Sequence, residues 1–343
     1  MNPYNLVNSI RINRYSSIPK YQQVTDSIVN LVESGKLSIN TGLPSINELS
    51  AALDISRDTI EKGYKSLRDL GIVTSVPGKG YYVAENECLK KYKVCLIFDN
   101  WSEHKKIIYD SFVDKMGDEA AVELNIYNDN LQQFEKLFSY KNGHFTHYIV
   151  IPPTLEKMDQ VKDILSSIPP EKLIILDNFP TELQNSSCAV FQDFGRDIFY
   201  ALNNACKALS KYKNLKIIFP KGNLFPREIL LGFKNFCLAN NYNYQVIELM
   251  RPQELVKGDV FITLSEHSLV EVVEMTQNAK LTIGKDIGLI SYNEAPIKRI
   301  LLNGITTIST DFVKLGTETA SLILNNLQKK IHVPFYLRLR NSL

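Results

Sequence analysis

The chain has 343 residues, too many for one ordinary domain and enough for two or three. Its 39 basic and 37 acidic residues nearly cancel, so net charge announces no nucleic-acid partner and any such surface must be a local patch. At 44% hydrophobic the chain can fill a core, yet no apolar run could span a membrane, and the start, MNPYNLVNSIRINRYSS, lacks the apolar stretch of a secretory signal. Cys88, Cys95, Cys188, Cys206 and Cys237 are scattered without CxxC spacing and read as reduced thiols of a cytoplasmic protein.

In chain order, Tyr21, Val24, Ile28, Leu31 and Val32 recur at helical spacing, and Gly35 ends the pattern. A second helix starts at Pro44-Ser45, where Ser45 is the N-cap and Glu48 completes a capping box; Ile46, Leu49 and Leu53 form its buried side. After a turn through Asp54 and Ile55, Ser56 caps a third helix. There Ile60, Tyr64 and Leu67 point inward, and Arg57, Asp58, Glu61, Lys62, Lys65 and Arg68 point outward. IVTSVPGKGYYV, residues 72–83, reads as a hairpin with Lys79 between two glycines at its tip. Two short helices joined by a tight turn form a helix-turn-helix, whose second helix can enter the DNA major groove. Ser45 and Ser56 at helix starts can hold phosphates, Lys62 and Lys65 stand on the outer face, and Lys79 with Gly80 can bring a wing to the neighbouring backbone. A charged outer face is equally what any small helical domain shows, and Asp58, Glu61 and Asp69 dilute this one.

Order and spacing add to that reading. KYQQVTDSI, SGKLSINTGLPSINELS, ISRDTIEKGYKSLRDLGIV and PGKGYYV, within residues 20–84, closely resemble the winged helix of the GntR regulator family. The resemblance implies operator contacts from Ser45, Ser56, Arg57, Thr59, Lys79 and Gly80. The family often has an Arg after the Pro-Ser, where this chain has Ile46-Asn47, and another near Glu61-Lys62, so base specificity does not carry over.

ENECLKK, residues 85–91, reads as a charged linker. Beyond it, strands are expected at 93–98, 122–127, 147–151, 172–177, 215–219, 244–248, 259–264, 286–291 and 305–309. Helices fit at 103–121, 131–140, 155–168, 194–210, 226–240, 266–277 and 312–328. Continuous apolar strands between helices mean parallel sheets covered on both faces. There are too many for one such sheet, and residues 188–194 offer a crossover. The expected fold is therefore multidomain: a winged helix-turn-helix (mainly α with a β-hairpin wing) over 1–84, then an α/β sensor over 92–343 made of two doubly wound parallel-sheet lobes. The first lobe takes about 92–189 plus 312–330, the second about 190–308 plus 333–343.

In such sheets, ligands gather at the carboxyl ends of strands. Asp99, Trp101, Asp177, Ser265, Glu266 and Asn293 stand there, beside Asn100, Asn178, Tyr292 and Glu294. Carboxylates and amides can chelate neighbouring hydroxyls, and an aromatic face can cover a sugar ring, so the mixture suits a polyhydroxylated ligand. The same residue types also cap helices and close turns.

DIGLISYNEAPI, GITTISTDFVKLGTETASLIL, LIILDN and the terminal VPFYLRLRNSL are similar to the LacI/GalR type of effector domain, which shares its architecture with periplasmic sugar-binding proteins. The likeness implies that Asp177, Ser265, Asn293 and Thr310-Asp311-Phe312 border the ligand. That family places an Arg three residues before the Gly-Phe represented by Gly232-Phe233, where it grips ligand hydroxyls. Here the slot holds Ile229, and Arg227, two positions earlier, would have to substitute. A GntR winged helix joined to such a sensor resembles the arabinose-repressor kind of regulator. It implies a homodimer on double-stranded operator DNA, acting as a repressor under control of a monosaccharide: a pentose, hexose or deoxyhexose such as L-arabinose or L-fucose. A non-sugar or protein effector, or an enzyme with a DNA-binding appendage, are the alternatives. No pyridoxal-lysine context, GxxxxGK loop or His/Cys/acid cluster supports the enzyme, so no catalytic residue, metal or cofactor is expected.

Overall fold

The computed structural model describes residues 6–343 except 8, 11, 14, 15, 17, 34, 85–89, 142–144, 154–157 and 222–224. Most of the expected 85–91 linker thus lies outside the described residues. The chain divides into two compact units, Met1–Val94 with Gly117–Glu123, and Cys95–Met116 with Leu124–Leu343.

The first unit is built on α1 (Lys20–Glu33), α2 (Ile46–Leu53) and α3 (Arg57–Asp69), with a small antiparallel sheet of β1 (Gly42–Leu43), β2 (Val73–Val76) and β3 (Gly80–Val83) in the order β1-β3-β2. Val24, Ile28, Leu49, Ile60, Tyr64 and Leu67 form its core, as their helical spacing requires. Leu6 and Ile10, ahead of α1, are buried in the same core. Asp54 ends α2 in the left-handed region at φ 54°, which turns the chain sharply into α3. Thr25 and Tyr64 fix the helices: the Thr25 hydroxyl donates to the Gly63 carbonyl at 3.3 Å and Tyr64 donates to the Pro44 carbonyl at 2.7 Å.

Two six-stranded sheets follow, which lie in the second unit except for the first residues of β4 and β5. The first runs β14-β8-β7-β6-β4-β5, from β4 (Tyr92–Phe98), β5 (Ala120–Ile126), β6 (His147–Val150), β7 (Leu173–Asn178), β8 (Ala189–Gln192) and β14 (Lys330–His332). Helices α4 (Glu103–Met116), α5 (Leu131–Lys141) and α6 (Met158–Leu165) alternate with its strands. The second runs β10-β9-β11-β12-β13-β15, from β9 (Asn214–Ile218), β10 (Asn243–Ile247), β11 (Asp259–Thr263), β12 (Gly288–Tyr292), β13 (Thr306–Ser309) and β15 (Tyr336–Arg338). Its strands pair in parallel except for β15, which is antiparallel to β13. Helices α7 (Phe194–Asn204) and α8 (Arg227–Ala239) cover one face and α9 (Glu266–Asn278) the other. Helix α10 (Phe312–Leu324) returns to the first lobe and packs on α4.

Most of the crossover segment expected at 188–194 is a strand: β8 pairs with β7 and β14, and the chain leaves the first sheet at the end of that segment, after Gln192. Four residues with mixed burial are too short a pattern to announce a strand without its partners. The chain crosses between lobes again at 309–312 and at 332–336. No helix of the described residues is long and apolar enough to cross a membrane.

Candidate ligand cleft and nucleic-acid interface

The carboxyl ends of strands from both lobes face a cavity of about 250 Å³. That is below the usual range for drug-sized ligands and gives room for one small molecule. From the first lobe come Asp99 and Asn100 after β4, His104 and Lys105 on α4, Asp177 and Asn178 ending β7, and Gln192 ending β8. The second lobe adds Phe225 and Pro226 before α8, and Tyr292 and Asn293 ending β12; Phe312 opens α10. A larger cavity, about 320 Å³, lies beside Leu173 at the amino end of β7, the end of a parallel sheet where ligands do not gather.

The polar groups are ordered by one another. Lys105 donates to Asp99 Oδ1, and Asn100 Nδ2 donates to Asp99 Oδ2 at 3.1 Å. Gln192 donates to Asp177. Asp177 and Asn293 both adopt left-handed backbone, at φ 70° and 61°, a conformation that short Asp and Asn side chains tolerate better than most. Lys298, 1% exposed, lies behind the Asn293 loop and donates to the carbonyls of Tyr292 at 2.9 Å and Asn293 at 2.8 Å. His104 Nε2 donates to the Glu294 carbonyl at 3.3 Å, and its ring lies 4.7 Å from that of Phe312.

Burial sets the charge states. It pushes the Asp177 carboxyl up, against the pull of Lys105 and Gln192. It pushes the Lys105 ammonium down. His104 and His147 are held below the ordinary 6.5, again chiefly by burial. For these histidines the unfolded chain binds the proton more readily, so their contribution to stability is full above 6.5 and falls as pH drops toward the folded values. Asp177 acts oppositely at lower pH: its contribution grows as pH falls from its raised value toward 3.8. The loss of melting temperature between pH 7.5 and 5.5 should therefore be smaller in His104→Gln than in the parent chain. Equal losses would contradict a buried neutral His104.

In the first unit, Ser45 forms the full capping box: its hydroxyl accepts from Glu48 N at 3.2 Å, and the Glu48 carboxylate accepts from Ser45 N at 2.8 Å. Ser56 differs from expectation. It stands at the N-cap of α3, but its hydroxyl pairs with the Thr59 hydroxyl at 2.8 Å and caps nothing. Arg57, Lys62 and Lys65 are exposed on α3. Lys79 and Gly80 are exposed at the hairpin tip, with Gly78 and Gly80 at φ 76° and 103°.

Known proteins match both units. Residues 20–83 match the model of bacterial regulatory proteins, gntR family, and residues 211–339 match that of the periplasmic binding protein-like domain. The chain thus joins a GntR-type helix-turn-helix to a periplasmic-binding-protein-like domain. The GntR-type part is 34% identical over 77 residues to the HTH-type transcriptional repressor YtrA of Bacillus subtilis (strain 168), a match covering 22% of this chain and 59% of that protein. The periplasmic-binding-protein-like part shares its fold with the lac repressor dimer bound to operator and the anti-inducer ONPF (TM-score 0.61, 13% identity, 73% of this chain and 93% of that one). It also shares it with a periplasmic binding protein/LacI transcriptional regulator from Alkaliphilus metalliredigens QYMF complexed with D-xylulofuranose (TM-score 0.56, 15% identity, 73% and 98%).

The periplasmic-binding-protein-like domain brings Asp99, Asp177, Asn293 and Phe312 together in the cleft. It leaves the other four candidates off the cavity lining. Trp101 is 45% exposed and meets Tyr109 edge-on at 6.0 Å. Ser265 caps α9, its hydroxyl accepting from Ser268 N at 3.1 Å. Glu266 pairs with Lys298 at 2.8 Å, which ties the first turn of α9 to the Asn293 loop. Arg227 lies on α8 in a separate shallow depression with Glu228, Leu230, Leu231 and Lys234. Ile229, in the slot where an Arg was expected, is wholly buried in the second-lobe core. The cleft groups missed from sequence include Ser102, His104, Lys105, Gln192 and Phe225.

Proposed function

We propose that the protein is a transcriptional repressor, acting as a homodimer in the cytoplasm, whose hold on double-stranded operator DNA is controlled by a small sugar bound in the cleft. The observation carrying this reading is the cleft: two carboxylates, several amides and aromatic rings from both lobes converge at strand ends, in a chain that also carries a winged helix. A molecule held by both lobes binds one lobe arrangement better than another, and only that difference can shift an equilibrium. The segment 85–91 would pass the shift to the GntR-type domain. Ser45, Ser56, Arg57, Thr59, Lys62, Lys65, Lys79 and Gly80 are the proposed DNA contacts; Asp99, Asp177, Asn293 and Phe312 are the proposed ligand contacts. The sugar complex of the Alkaliphilus protein, on the same fold, supports the ligand class.

The test is thermal unfolding against a panel of monosaccharides. One sugar at a hundred times its dissociation constant should add about 2.7 kcal/mol of stability. Asn293→Ala should remove that gain, and the same sugar should alter DNA retention in a mobility-shift assay. Retention of DNA with no response to any sugar would overturn the sugar effector and turn attention to a non-sugar or protein one.

A further inference from the structure

We infer that the cleft takes an uncharged polyol and rejects its anionic derivatives, phosphorylated sugars and sugar acids alike. This rests on the reading of the cleft as a sugar site and adds the charge of the ligand to it. Carboxylates outnumber cations along the described lining: Asp99 and Asp177 stand against Lys105, with His104 the other titratable group. The Lys105 ammonium is already engaged by Asp99, and Asp177 and Asp129 act on it through space. His104 is turned to the Glu294 carbonyl, and its burial favours the neutral ring. Lys298, behind the wall, is committed to two carbonyls and to Glu266. The arginine expected on α8 is replaced by Ile229, which is buried in the core, and Arg227 lies outside the cavity. A phosphate or carboxylate entering here would meet the oxygens of two carboxyl groups and find no uncommitted cation along the described lining. Neutral hydroxyls meet what they need: carboxylate oxygens as acceptors, amides of Asn100, Asn178, Gln192 and Asn293 as donors or acceptors, and the rings of Phe225 and Phe312 for an apolar face.

The experiment is calorimetric titration of the full chain with L-arabinose, L-fucose, D-glucose and D-fructose, beside glucose 6-phosphate, fructose 6-phosphate and glucuronate. An uncharged sugar should bind, and its phosphate or acid should bind on the order of 100-fold more weakly, the scale set by like charges a few ångströms apart in a partly buried site. Asp177→Asn, checked for folding by its melting curve, should narrow that ratio on removing one of the two carboxyl groups that face the ligand. An anionic sugar that binds as tightly as its neutral parent would overturn the inference while leaving the sugar-sensor reading standing. A ratio unchanged in a folded Asp177→Asn protein would also count against it. If no sugar of either kind binds, the sensor reading falls and the inference falls with it.

Discussion

Gly232→Ala is expected to lower the melting temperature of the periplasmic-binding-protein-like unit, although the substitution is favourable by helix propensity alone. Gly232 lies inside α8, where replacing glycine by alanine ordinarily gains about 1 kcal/mol. Here α8 crosses α7 so closely that a methyl group on Gly232 would overlap the Gly195 carbonyl oxygen and lie 2.5 Å from Ile198 Cγ2. The obstacle is mostly backbone, which cannot rotate away. Overpacking of a tight core costs about 1–3 kcal/mol and sometimes more, so the packing term should win. With so close an approach to backbone the cost should reach the upper end of that range, about 3 kcal/mol, which leaves a net loss of roughly 2 kcal/mol, or about 4–8 °C for a unit of this size. Leu231→Ala, on the same helix but 59% exposed, should shift the melt by less than about 1 kcal/mol. A Gly232→Ala protein melting at or above the parent would show that the two helices can part without cost. Gly316 repeats the arrangement where α10 meets α4 against Ser111 and the Ile108 carbonyl, so close glycine-mediated helix contacts hold both lobes.

What the sequence disclosed follows from which residues carry a local signal. The strands leading to Asp99 and Asp177 carry runs of buried apolar residues, and the strand leading to Asn293 is buried throughout around Leu289-Ile290, so both the run and the polar residue that follows it are visible. Ser265 carries the same outward signature, a polar residue after an apolar strand, yet its hydroxyl is spent on capping α9. Local pattern does not separate those two uses. Lys105 was hidden for another reason. It sits among the charged residues of α4 and looks like a solvated face, but it is 9% exposed because Asp99 draws it inward. Gln192 ends a strand so short that only pairing with β7 and β14 defines it. In the GntR-type unit, the capping box at Ser45 was legible because both partners lie within four residues. At Ser56 the nearby Thr59 hydroxyl competes for the cap, an outcome that depends on rotamers and not on residue type.

Lys298→Met should loosen the Asn293 loop and weaken any ligand held there. Lys298 is nearly inaccessible, and its ammonium joins three partners: the carbonyls of Tyr292 and Asn293, and Glu266 on α9. Methionine is close to it in shape, so the cost comes from lost hydrogen bonds and not from a cavity. The Glu266 side chain is 60% exposed and can be hydrated when its partner goes, so no buried charge is stranded. The carbonyls fare worse: a buried acceptor left without its donor costs about 1–3 kcal/mol. Some of this is returned because an ammonium no longer has to be buried, a burden visible in the downward push on the Lys298 pKa. A net loss of roughly 2 kcal/mol is expected, concentrated where Asn293 holds its left-handed backbone. The Asn293 amide donates to the Ile308 carbonyl at 2.8 Å, so it reports on the loop with no ligand present. Its hydrogen exchange should quicken by at least about tenfold, equivalent to about 1.4 kcal/mol of local opening, while amides in the centre of β9 change little. Glu266→Gln should leave that amide nearly as protected as in the parent chain, because the carbonyl contacts to Lys298 persist. Unchanged exchange at Asn293 in Lys298→Met would mean that the loop holds its shape through β12 and β13 alone, and that the buried lysine is not what aims Asn293 at the cleft.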